Sequence, residues 1–148
     1  MTDHDYIQLA LEQARAAQAA GEVPIGAVLV KDGVVIATCQ NRVLRDNDPT
    51  AHAEIVALRA GGNALNNYRL NGCDLYVTLE PCAMCAGAMM HARLRRLVYG
   101  ARDPKAGADG SVLQVLNFPQ SNHKLKVVQG ASAAASTALL REFFAARR

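Results

Sequence analysis

Four residues in two short segments hold the chemistry open to this chain. His52 and Glu54 lie in Thr50-Ala51-His52-Ala53-Glu54, and Cys82 and Cys85 lie in Glu80-Pro81-Cys82-Ala83-Met84-Cys85. One imidazole and two thiols are the nitrogen and sulfur donors that zinc takes in a tetrahedron. Three protein ligands leave the fourth corner open for a water, whose pKa the metal lowers to about 7. Glu54 is then the proton carrier that such a water needs. A lone Cys-x-x-Cys also fits a redox pair or half of a zinc ribbon, but the chain has no second one. Cys39 and Cys73 stand alone in apolar, strand-like runs and read as buried small hydrophobes.

Both segments should open helices. Asp48-Pro49-Thr50 precede the apolar run Ile55, Val56 and Leu58, which predicts a helix starting just before His52 and ending at Gly61-Gly62. Pro81 fits the first position of a second helix, setting Cys82 and Cys85 on one face near outward-pointing amides. Two positive helix ends would then meet at the metal and favour thiolates. Glu54 follows His52 by about 200° around an α-helix, so it need not be a ligand and can face the water.

The rest of the chain must position these two segments. A first amphipathic helix is expected over Asp5 to Ala20, then strands at Val23 to Val30 and Val34 to Cys39 joined by a Lys31-Asp32-Gly33 hairpin. After the His52 helix come a strand at Asp74 to Thr78, the Pro81 helix, strands at Arg96 to Tyr99 and Leu125 to Val128, and a last helix from Ala133 to Ala146. Of Phe143 and Phe144, one or both should pack on the sheet. Strands alternating with helices after an initial hairpin predict one α/β domain over residues 1–148, a three-layer α/β/α sandwich on a five-stranded mixed sheet.

Composition narrows the setting. At 148 residues the core can stand without disulfides, and no apolar run approaches the roughly 18 residues of a membrane span. The acidic start, Met1-Thr2-Asp3-His4-Asp5, does not resemble a signal peptide, and free thiols suit a cytoplasmic location. The net charge of +3 is uneven. Residues 1–72 hold six Lys/Arg against eight Asp/Glu, whereas residues 73–148 hold ten against five. That basic half, with Arg102, Lys105, Arg141, Arg147 and Arg148, fits a face for a polyanion, though a solvated surface would also account for it.

Taken with Val23-Pro24-Ile25-Gly26, Asn41-Arg42, Asn67-Tyr68-Arg69-Leu70, Leu75 to His91 and Gly100-Ala101-Arg102-Asp103, the two segments carry a family resemblance across nearly the whole chain. It resembles the bacterial tRNA-specific adenosine deaminases of the cytidine deaminase-like superfamily. The resemblance implies a homodimer that hydrolyses adenosine to inosine at the wobble position of a tRNA anticodon stem-loop, with one zinc per subunit. His52, Cys82 and Cys85 would hold the zinc and Glu54 would move the proton. Asn41 and the Ala53 amide would meet the target nucleoside, Asp103 and Lys105 would flank the RNA, and Phe144 would close the substrate side. Ala106 and Asp109 depart from the pattern, where threonine and a small neutral residue are common. Two rivals stay open: a deaminase of the same fold acting on free guanine or cytosine or their nucleosides, and a zinc module that binds RNA without chemistry.

Overall fold

The computed structural model describes residues 1–147, so Arg148 lies outside the described residues. Strand β1 (Gly26–Lys31) sits inside the sheet and is buried along almost its whole length. Its side chains alternate: Ala27 and Leu29 enter one hydrophobic layer, Val28 and Val30 the other. A strand buried on both faces needs helices on both, and this sets the three layers.

β2 (Val34–Gln40) returns antiparallel through Asp32 and Gly33, whose φ values of +50° and +75° are those of a two-residue type I′ hairpin. β3 (Cys73–Leu79) pairs antiparallel with β1, and β4 (Arg96–Ala101) and β5 (Lys126–Gln129) continue in parallel. The sheet order is β2-β1-β3-β4-β5. Helices α1 (Asp3–Ala19) and α4 (Ala133–Ala145) cover one face, and α2 (Ala53–Leu65) and α3 (Ala83–Ala92) cover the other. The predicted three-layer sandwich with a five-stranded mixed sheet is the observed one.

Several boundaries differ from expectation, among them those of α1, β1 and α2. Helix α1 begins two residues early because Thr2 and Asp5 form a capping box, each side chain bonding the other's backbone N–H. Residues 23–25 do not join β1. Helix α2 runs through Gly61-Gly62 for another turn and stops at Asn66, which takes the left-handed conformation. Gly61 is there for a different reason: a Cβ would collide with Leu29 Cδ2, so the glycine lets the helix lie close on β1.

The two ends of the sheet divide the labour. Where β3 and β4 begin, Tyr76 donates its hydroxyl to Asp3 at 2.6 Å and Arg96 pairs with the same carboxylate, tying α1 to the sheet. The Tyr76 hydrogen bond, ahead of the Arg96 contacts, holds the Asp3 carboxyl below its ordinary value against the opposing effect of its partial burial. The carboxyl ends, Leu79 and Ala101, feed the segments that carry the chemistry.

Candidate active site

Two helix N-caps meet at the expected place. His52 is the N-cap of α2 and Cys82 the N-cap of α3. His52 Nδ1 lies 3.6 Å from Cys82 Sγ and 3.4 Å from Cys85 Sγ, with all three donor atoms within 4.8 Å of one another. Zinc–sulfur and zinc–nitrogen bond lengths at tetrahedral angles separate N from S by about 3.6 Å, so the spacing suits a metal of that kind. Proline 81 precedes the cap rather than taking the first helical position, and Cys85 falls in the first turn. The expectation that Asp48 caps the His52 helix is corrected as well. Asp48 accepts from Thr50 N and Thr50 Oγ1 in the turn before it, and α2 itself has no side-chain cap from its own N-cap residue.

Asn41 does that work from a distance. Its Oδ1 accepts the Ala53 N–H at 2.7 Å, so two residues expected at a substrate are already joined to each other, directly after His52 in the chain. Glu54 is buried beside them, and burial pushes its carboxyl up to about 7. A hydrogen bond from Cys85 depresses Cys82 to about 4, and that same bond, with burial, raises Cys85. Two thiols and an imidazole this close together are a donor set that suits a divalent cation of the zinc type.

The other three expected residues come together along a cleft of about 510 Å³ at the same edge of the sheet. Asp103, Lys105 and Phe144 line it with Ile25, Leu79 and Arg141. Asp103 Oδ1 accepts from Lys105 N and Ala106 N, closing its own turn. Lys105 Nζ stands 5.8 Å from the centre of the Phe144 ring. Phe143, not Phe144, packs inward; the two rings meet edge to face at 5.2 Å. Asp109, the unusual carboxylate, accepts from the Tyr99 hydroxyl at 2.8 Å and is thus turned toward β4.

Sequence reasoning missed two residues. Glu22 and Glu80 are almost wholly buried, and each holds one loop beside the site. Glu22 accepts from Leu44 N, Arg45 N and Arg45 Nε at 3.0, 2.9 and 3.0 Å, and Arg45 in turn donates to Asn41 O at 2.6 Å. Glu80 accepts from Asp103 N and Asp109 N at 3.0 and 2.8 Å, and from Ser111 N and Oγ. The only available signal was their type, since a glutamate in an apolar context must be hydrogen-bonded if it is buried.

The chain matches the MafB19-like deaminase family over residues 1–148. It is 51% identical to a tRNA-specific adenosine deaminase of Agrobacterium fabrum over 97% of this chain and 94% of that protein, and 48% identical to one of Haemophilus influenzae over 99% and 85%. A solved structure from a study of A-to-I editing by tRNA:A34 deaminases at the wobble position superposes with a TM-score of 0.89 at 51% identity, covering 92% of this chain and 99% of that one. Guanine deaminase from Nitrosomonas europaea superposes with a TM-score of 0.81 at 30% identity, over 96% and 84%. A His/Cys/Cys cluster at two helix caps with a buried glutamate beside it, on this sheet and at these identities, makes the chain a member of the tRNA-specific adenosine deaminases within the deaminase family.

Proposed function

We propose that this chain is a zinc-dependent hydrolase that converts the wobble adenosine of a tRNA anticodon to inosine, with release of ammonia. The observation that carries the reading is the donor cluster of His52, Cys82 and Cys85 with the buried Glu54 carboxyl next to it. His52, Cys82 and Cys85 would hold the zinc, and its chemistry would be to make water acidic enough, with a pKa of about 7, to act as a nucleophile near neutrality. Glu54, a buried carboxyl beside the donors, would take one proton from water and deliver it to N1 of the purine, and would then carry the proton of the new C6 hydroxyl to the departing amine. The overall balance is adenosine plus water to inosine plus ammonia.

Asn41 and Ala53 would orient the base. The Oδ1 of Asn41 is occupied by the Ala53 amide, which leaves the Asn41 side-chain NH₂ to meet a ring acceptor. Asp103, Lys105 and Phe144 would contact RNA on either side of the flipped nucleotide: Lys105 and Arg141 as phosphate partners, Phe144 as a stacking surface with 45% of its area exposed. An anticodon base is weakly stacked, so flipping it costs less than from a duplex.

A homodimer is supported by the outer face of α3, where Met84 is exposed and where Met90 and His91 line a cleft with the exposed rings of Tyr68 and Phe118. No described helix is long and apolar enough to cross a membrane, and a cytoplasmic location suits both the free thiols and the substrate. The free-base reading is the weaker one, since relatives sharing 41–51% identity are named for tRNA. The deciding experiment is incubation with an anticodon stem-loop, read as inosine at the wobble position, beside free adenosine and guanine. Turnover of a free base at the stem-loop's rate would overturn the tRNA assignment.

A further inference from the structure

The segment from Arg102 to Leu125 joins β4 to β5 with no helix or strand of its own, apart from one isolated bridge between Asp109 and Gln114. A loop of that length holds its shape only through specific anchors. Its first half converges on one side chain. Glu80 Oε1 accepts the Asp103 N–H and the Ser111 hydroxyl, and Oε2 accepts the Asp109 and Ser111 N–H groups, so both oxygens are engaged twice. The Arg102 guanidinium stands 3.9 Å away.

The side chain is completely shielded from solvent, and Gly107 is packed so closely over it that a Cβ would run into the carboxylate. Glu80 also opens the turn into α3: two residues further on is Cys82, and the intervening Pro81 carbonyl accepts the Ala108 N–H at 2.8 Å. One carboxylate thus fastens the loop bearing Asp103 and Lys105 to the start of the helix that bears two of the three metal donors.

We propose that Glu80 is a positioning residue for substrate recognition, holding Asp103 and Lys105 in register with the metal-bearing helix. It touches neither the base nor the metal donors and acts through the loop backbone. This rests on the reading of Asp103 and Lys105 as RNA contacts.

Glu80→Gln keeps the volume and replaces one acceptor oxygen by an NH₂ that faces amide donors. In the zinc-loaded protein the amides of Asp103, Asp109 and Ser111 should lose hydrogen-exchange protection on the order of tenfold, the ratio for one lost charge-assisted bond. KM for an anticodon stem-loop should rise by a similar factor while kcat and zinc content stay near wild type. The same substitution should raise KM by less than its full factor in a Lys105→Ala background, because one of the two contacts it loosens is already gone. Ser111→Ala, which removes a single donor, should shift KM in the same direction by less. The proposal is overturned if Glu80→Gln multiplies in full with Lys105→Ala, if kcat and metal content fall with KM unchanged, or if loop protection is unaltered. Should the wild-type protein turn over no RNA at all while Glu80→Gln still frees the loop amides, the substrate assignment fails and the anchoring stands.

Discussion

The floor of the site and its rim are positioned by different means. On the floor, the N-caps of α2 and α3 bring His52 and Cys82 to 3.6 Å, and Glu54 and Cys85 follow within the first turn of each helix. Those helices pack on the sheet core through Ile55, Ala57, Ala86 and Met89, so His52, Glu54, Cys82 and Cys85 are placed by elements that fold with the whole molecule. At the rim, the segments around Asn41 to Asn47 and Arg102 to Ser111 are irregular, and each is bonded at several backbone amides or side chains to one buried glutamate, Glu22 or Glu80. The floor should therefore govern metal and turnover, while the rim governs which molecule is held. A rim can then change without loss of the chemistry beneath it.

The largest effect expected is on the floor. Cys82→Ala should reduce zinc from one per chain to a trace and lower the thermal midpoint, since a ligand is missing and its neighbouring thiolate is left uncompensated. Metal analysis of the purified protein gives the answer, and full zinc occupancy in this variant would remove the metal assignment. Glu54→Ala should keep its zinc and lose turnover by at least about 100-fold, the lower range for a general acid/base group. Loss of metal from that variant would instead make Glu54 a ligand.

Rim substitutions should be milder and should separate KM from kcat. Glu22→Gln removes charge-assisted bonds to Leu44 and Arg45, the residue that also fixes the Asn41 carbonyl. A rise in KM on the order of tenfold, at unchanged zinc content, is expected. A collapse of kcat together with metal loss would break the division between floor and rim. The same anchor has a pH signature. Burial raises the Glu22 carboxyl, but the amides of Arg45 and Leu44 and the Arg45 guanidinium together outweigh it, leaving a net depression below 4.5. A carboxylate depressed in the folded state contributes stability that is fully present above its unfolded value and is lost as pH falls through the folded one. Protection of the Leu44 and Arg45 amides should accordingly hold above about pH 4.5 and fade in more acid solution. Protection that is flat down to about pH 2 would show the loop to be held by something else.

The smallest effect concerns salt. Lys105→Ala should flatten the dependence of stem-loop affinity on salt by a slope of about 0.7, the loss of one phosphate contact. An unchanged slope would leave Lys105 with only its stacking on Phe144.

The same division explains what could be read from the chain alone. The meeting of His52, Cys82 and Cys85 was legible because residue types able to bind a metal are few and helix caps bring close sequence neighbours together. The strands were legible as short apolar runs, and the first pair also from the Asp32-Gly33 turn, whose chemistry allows few alternatives. Glu22 and Glu80 were not, because each bonds to segments about 20 to 30 residues away that have no periodicity to announce them. Asp48-Pro49-Thr50 suggested a cap, yet the cap came from Asn41 across a loop. Asp109 looked like a stray charge beside RNA until Tyr99 was found holding it inward. Side chains that work through tertiary contact carry no local signature, and these are the ones that shape the rim.

Gly61 has a bearing on how this fold can drift. Because a methyl group there would occupy the space of Leu29 Cδ2, positions 29 and 61 share one volume although they belong to different elements. A lineage could move side-chain mass from the strand to the helix, with a smaller residue at 29 accompanying alanine at 61, but neither half of that exchange is neutral alone: shrinking Leu29 first opens a cavity, and filling Gly61 first overpacks the layer. The two sites should vary together among descendants of this chain. Since α2 starts with Ala53, directly after His52, an uncompensated step at Gly61 would be transmitted along a rigid rod toward His52 at its other end.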